Sequence, residues 1–413
     1  MCNMRESGVE WIGTMPIDWQ LLTIGSLFKV RNEKVNDTDY PPLSVSKGGI
    51  VPQMENVAKT DANDNRKLVL ENDFVINSRS DRKQSCGVSS MDGSVSLINT
   101  VLYLVPNAPV VPEYLNYLLK NHGFAEEFYK WGHGIVADLW TTRWQEMKNI
   151  LLPIPTKEVQ IQILNRIERE TQNINTLIAN VQTQIEKLKA YKQSLITEVV
   201  TKGLNPTAPT KDSGIEWMGD IPSSWKILRG KNVFVLLDRP TQESDEVITC
   251  FRDGEVTLRK NRREEGFTFS EKEIGYQGIE AGDLVVHGMD GFAGSIGISD
   301  SRGKASPVLI VLDSNQNKRY LMYYLRSLAF RDIFLALSTG IRVRSCDLRW
   351  NKLSVLPILL PPIKEQDEIA TYIDKKIKEI DKLISIKQRK IEKLIDYKKS
   401  IVYEYVTGKK EVQ

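Results

Sequence analysis

Two groups of cationic and amide side chains are the residues best suited to chemistry in this chain, and that chemistry is recognition. Arg79, Arg82, Lys83 and Gln84 follow an apolar stretch that ends at Ile76. Arg252, Arg259, Lys260, Arg262 and Arg263 form a second group, with His287 downstream and Arg342 and Arg344 further on. Guanidinium and amide groups on turns can fork onto base edges in the major groove, and neighbouring cations can hold phosphates. His287, in Val-Val-His-Gly, reads as a turn or DNA-facing residue rather than a catalytic base.

Catalytic equipment is not visible. Gly230-Lys231, Gly303-Lys304 and Gly408-Lys409 lack the frame of a phosphate loop. The Asn-Pro-Pro-aromatic motif of amino-methyltransferases does not occur; Asp39-Tyr40-Pro41-Pro42 has the wrong order. The glycine-rich Gly291–Gly297 run follows one apolar stretch and enters another, so it predicts a hairpin rather than a cofactor loop. Four scattered cysteines and three histidines exclude a zinc ribbon and argue against a histidine-based metal site. Free thiols fit a reducing cytoplasm, and no apolar run is long enough to span a membrane. The net charge is +3 with 26% charged residues, so nucleic acid can be held only through local patches.

The elements that must position these residues are written twice. Ser7-Gly8-Val9-Glu10-Trp11-Ile12-Gly13 returns 206 positions later as Ser213-Gly214-Ile215-Glu216-Trp217-Met218-Gly219, since Trp11 becomes Trp217. Tyr114-Leu115 returns as Tyr320-Leu321, and Ile185-Glu186-Lys187-Leu188 as Ile391-Glu392-Lys393-Leu394. Each copy has a lead-in, a mixed segment of strands and short helices (helices near 112–130 and 317–337), a proline-marked exit and a long helical stretch. The prolines of Leu152-Pro153-Ile154-Pro155 and Leu360-Pro361-Pro362 are expected to stop a strand and open a helix.

The long stretches carry apolar residues at coiled-coil spacing: Ile174, Ile178, Ile185, Leu188 and Leu195 in the first, Ile380, Ile384, Ile391, Leu394 and Ile401 in the second. About 42 helical residues in each span roughly 63 Å. A helix that long with an apolar stripe needs a partner, and the matching stripe is the obvious one. Lys192 and Lys398 occupy equivalent seam positions, where the head groups either snorkel to water or fix register. The predicted fold is α+β: two tandem mixed α/β domains separated by a pair of long antiparallel coiled-coil helices, with pseudo-twofold symmetry. The boundaries are 1–156 for the first head with its lead-in, 157–202 for the first helix, 203–212 for a linker, 213–362 for the second head and 363–408 for the second helix. A structural coiled-coil adaptor without DNA readout has the same outline and is the alternative.

The lead-in Ser-Gly-(Val/Ile)-Glu-Trp-(Ile/Met)-Gly resembles the opening of type I restriction-modification specificity subunits. The exits, with Lys157-Glu158-Val159-Gln160 and Lys364-Glu365-Gln366, resemble that family's Pro-Pro-x-x-Glu-Gln entry into its long helix. The first copy departs from it with Thr156 where a second proline is usual and Val159 between Glu and Gln. The resemblance covers nearly the whole chain. It implies a non-catalytic subunit with two target recognition domains, each reading one half of a split site on double-stranded DNA, and helices that set the unread spacer. It implies two methyltransferase subunits and motor-nuclease subunits as partners. S-adenosylmethionine, ATP and magnesium are expected in those partners, with no cofactor in this chain. The expected protein is a cytoplasmic monomeric pseudo-dimer within that complex.

Overall fold

The apolar stripes become the two longest elements of the computed structural model, which describes residues 3–53, 65–79, 82–134, 140–262, 274–336 and 348–412. Five helices position the site: α1 (Pro112–Leu118), α2 (His122–Lys130), α3 (Lys157–Lys202), α4 (Lys318–Phe330) and α5 (Ile363–Val406). At 46 and 44 residues, α3 and α5 are slightly longer than the periodicity indicates. No proline or glycine interrupts either.

The chain divides into two compact units that do not follow chain order. One comprises Met1–Gln182 with Arg389–Gln413, the other Thr183–Gln388. Each unit therefore takes part of α3 and part of α5.

In the first unit, Met4–Glu6 pairs antiparallel with Thr14–Pro16, and the exit strand Leu151–Ile154 pairs with Gln20–Thr23. Pro153 lies inside that exit strand opposite Leu21 instead of ending it. A two-stranded ladder is all edge, so a residue without an N–H is tolerated there. The central sheet has four antiparallel strands in the order Cys86–Val88, Phe74–Asn77, Asn99–Leu104, Phe28–Val30. Phe74–Asn77 is reached through a turn in which Asn72 takes φ 69°, a conformation asparagine tolerates. The core joins Phe28, Phe74, Tyr114, Phe124 and Phe128 of the head to Ile163, Ile167 and Ile174 of α3 and Ile401, Tyr405 and Val406 of α5.

In the second unit the same logic repeats. Pro357–Leu360 pairs with Lys226–Arg229, and the four-stranded sheet runs Val235–Leu236, Leu309–Asp313, Leu284–His287, Ile296–Ile298. The Gly291–Gly297 run joins the last two of these, antiparallel, as a hairpin. Trp225, Tyr320, Tyr324 and Phe334 pack with Leu195, Ile196, Val199 and Val200 of α3 and Ile369 and Ile373 of α5. The expected linker is not extended to its end: Thr210–Asp212 forms a strand paired with Asp220–Pro222. Ladder hydrogen bonds hold those three residues, and the lead-in loop closes between them.

Within each unit the helices run antiparallel. In the first, Arg166 meets Tyr405 (3.0 Å) and Asn175 meets Lys398 (2.9 Å). In the second, Gln184 meets Lys387 (2.5 Å) and Lys192 meets Asp381 (2.8 Å). Residue numbers rise on one helix as they fall on the other. Along the stripe Ile174, Ile185, Leu195, Ile380 and Ile401 are buried, whereas Ile178, Leu188, Ile384, Ile391 and Leu394 are half-buried. The two seam lysines do not simply reach for water: Lys192 and Lys398 each end on a polar side chain of the facing helix.

Candidate nucleic-acid interface

The first basic group occupies the turn between the strands Phe74–Asn77 and Cys86–Val88. The Arg79 N–H donates to Asn77 Oδ1 (3.1 Å), and Arg79 bridges to Thr141. Gln84 closes the turn with φ 63°. The four side chains do not form one patch. Arg82 lines a polar cleft of about 260 Å³ with Arg66, Asn77 and Asn99. Lys83 and Gln84 line a separate groove of about 1110 Å³ beside α2. There Lys83 Nζ lies 3.2 Å from Glu126 and over the Tyr129 ring. Successive residues of a tight turn leave the backbone in different directions, so adjacency in sequence did not become adjacency in space.

Arg66 was not singled out by the sequence, where it carries no cluster signal. It is buried, with Nε donating to Ser94 Oγ (2.8 Å) and Nη2 to Ser94 O (3.0 Å). Desolvation pulls its pKa down. Its hydrogen-bond partners are neutral, and the Asp37 carboxylate opposes the shift.

The second basic group is matched by carboxylates. Arg252 pairs with Asp290 (3.1 Å), and Lys260 with Glu246 (2.5 Å). Arg262 pairs with Asp253 (2.8 Å) and Glu255 (2.9 Å) and lies 4.2 Å from the centre of the Phe251 ring. Arg259 Nε donates to Thr249 Oγ1 (3.3 Å). Ion pairs this exposed contribute about 0–1 kcal/mol each, so a phosphate can displace the carboxylate at little cost. The pairs orient the cations without consuming them. Arg263, Arg342 and Arg344 lie outside the described residues.

His287 ends its strand, and its Nδ1 accepts hydrogen bonds from the N–H groups of Asp290 (3.0 Å) and Met289 (3.3 Å). Desolvation is the largest influence on its pKa, which is lowered; Arg252 acts in the same direction and Asp290 opposes. The ring is a turn-holding acceptor, with its other nitrogen carrying the proton.

Among the described residues no group of three His, Cys, Asp or Glu side chains is arranged to hold a metal, and no helix is long and apolar enough to cross a membrane. Cys86 and Cys250 are buried, and burial pushes both thiols up to about 12.

Tandem mixed α/β heads combined with paired long helices define the class of the type I specificity-subunit fold. The HsdS subunit from Thermoanaerobacter tengcongensis superposes with a TM-score of 0.50 over 98% of this chain and 99% of its own, at 16% identity. A chain from a structure describing complex assembly and conformational transition of the type I R-M system superposes at 0.64, covering 95% and 98%, at 14% identity. No family model matches. In sequence the chain is similar to the type I restriction enzyme MjaVIII specificity subunit of Methanocaldococcus jannaschii: 24% identical over 427 residues, spanning 97% of this chain and 94% of that protein. Over nearly its whole length, in sequence and in fold, the chain resembles the specificity subunits of type I restriction-modification systems.

Proposed function

We propose that this chain is the non-catalytic DNA-recognition subunit of a type I restriction-modification complex. Each head reads one half of a bipartite double-stranded site, the first through Arg79, Arg82, Lys83 and Gln84 and the second through the basic group that begins at Arg252. The paired helices set the unread spacer. Two methyltransferase subunits carrying S-adenosylmethionine methylate adenine at the site, and motor-nuclease subunits using ATP and magnesium cleave unmodified DNA. The complex acts in the cytoplasm. The observation that carries the reading is the full-length match of a duplicated head-and-helix architecture to specificity subunits, in sequence and in fold alike.

The test is methylation mapping in cells carrying this chain with its methyltransferase partner, against cells lacking only this chain. A split adenine-methylated motif that disappears with the chain is the expected result. Methylation that persists unchanged without it would overturn the reading.

A further inference from the structure

Two side chains in each unit tie the head to both of its helices, and all but one of their partners recur at the 206-residue period; the exception is Pro109 O, whose place is taken by Gln316 Oε1. In the first unit Gln160, fully buried in the first turns of α3, donates from Nε2 to Pro155 O (2.8 Å) and Pro109 O (2.8 Å). Its Oε1 accepts from the N–H of Val111 (2.8 Å), the residue that caps α1. In the second unit Gln366, equally buried in α5, donates to Pro361 O (2.9 Å) and Gln316 Oε1 (2.8 Å). It accepts from the N–H of Asn317 (3.1 Å), which caps α4. One amide thus joins the exit proline, the helix it lies on and the N-terminus of a head helix.

The tyrosines complete the arrangement from the opposite side. Tyr114 of α1 places its hydroxyl 3.1 Å from Val406 O, in the last turn of α5, and 3.5 Å from Pro153 O of the exit strand. Tyr320 of α4 places its hydroxyl 3.3 Å from Val200 O, near the end of α3, and 2.8 Å from Leu359 O of its exit strand. Both rings are fully buried, and that burial keeps the phenols protonated and donating. The carbonyls of Val406 and Val200 lie in the last turns of their helices, where a C-terminus leaves such groups without an intrahelical donor. Each head therefore grips the start of one long helix through glutamine and the end of the other through tyrosine.

Apolar packing alone would hold a head against its helix pair but would tolerate small rotations, because dispersion contacts are short-ranged and non-directional. Hydrogen bonds in a dry site are directional, and breaking one leaves a buried polar group unsatisfied. We propose that Gln160 with Tyr114, and Gln366 with Tyr320, are positioning residues that fix the angle of each head on its helix pair and thereby restrict the spacing between half-sites that the protein accepts. The spacing part rests on the function proposed above; the angular part does not.

Two measurements on the full chain separate these. Spin labels at position 47 in the first head and position 172 on α3 report the head–helix distance. Gln160→Leu is expected to broaden that distribution, and Tyr114→Phe, which deletes a single hydroxyl, to broaden it less. Distributions as narrow as the parent's in both variants, with the fold retained, would overturn the proposal. Methylation mapping of the reconstituted complex then compares sites whose spacer is one base pair longer or shorter with the parent spacing. The variants are expected to raise the relative methylation of off-spacing sites by about fivefold, the equivalent of one net buried hydrogen bond, with the bases of both half-sites unchanged. A residue important only for stability would lower methylation at all spacings in proportion, and that result also overturns the proposal. If the parent chain directs no bipartite methylation, the proposed function fails while the distance measurement still decides the clamp; Tyr114→Phe decides it where Gln160→Leu does not fold.

Discussion

At the scale of single residues, the basic turns are balanced devices. Arg262 is held by two carboxylates and an aromatic face, so a bound phosphate or base edge competes with groups that already orient it. Arg262→Ala is expected to weaken binding of the complex to its own site, with discrimination at one half-site falling by ~1–3 kcal/mol if the contact reads a base. Competition binding against sites altered in one half at a time distinguishes this from uniform loss, which marks a phosphate contact. Arg82→Ala is expected to act on the other half-site by the same measure. His287 supplies a pH-dependent prediction. Desolvation lowers its folded pKa, so the neutral ring favours the folded state above its ordinary pKa of ~6.5. That contribution is lost as pH falls below this value, because the unfolded chain takes up the proton more readily. Between pH 7 and pH 5 the thermal midpoint of the parent is therefore expected to fall more than that of His287→Gln; parallel midpoints in both chains would remove His287 from the account.

At the scale of elements, the long helices carry the repeat's most legible signal and its most direct test. Apolar residues at 4-3 spacing must share one face of a helix, and a face that wide needs covering. Inserting seven residues after Gln182 in α3 and after Gln388 in α5 preserves the stripe and lengthens each helix by ~10 Å. The accepted spacer is expected to lengthen by about three base pairs, at ~3.4 Å per step, while the half-sites stay the same. Methylation mapping reads both quantities together, and altered half-sites would contradict a ruler. Lys192 and Lys398 were legible only as seam positions. Their partners, Asp381 and Asn175, come from the facing helix, and which residue faces which depends on the antiparallel register.

At the scale of the whole molecule, the compact units are discontinuous in sequence. The core of the first unit contains Ile401, Tyr405 and Val406 from the end of the chain. Removing residues 389–413 is therefore expected to destabilise a head that begins near residue 4. Three fully buried side chains at ~1.5–3 kcal/mol each amount to more than about 4 kcal/mol. Hydrogen exchange should show loss of protection in strands such as Phe74–Asn77, with the core strands of the second unit, such as Leu284–His287, keeping theirs. Equal protection of both in the truncated chain would refute that assignment.

The amino-acid sequence by itself determined the duplication, the mixed heads, the helical character of the long stretches and the face along which they pair. Each of these follows from periodicity, turn chemistry or repetition, which are local or exact in the chain. The tertiary structure decided the rest. Arg79, Arg82, Lys83 and Gln84 read as one cluster, but a left-handed residue at Gln84 and the polar cleft around Arg66 divide them. The second cluster reads as free positive charge, but Glu246 and Asp290, distant in sequence, lie against it. Gln160 and Gln366 read as the tail of a motif, and only the fold reveals a buried amide with three partners. Charge neutralisation and buried hydrogen bonding depend on distances between residues that the chain separates, and those distances exist only once the heads have closed on their helices.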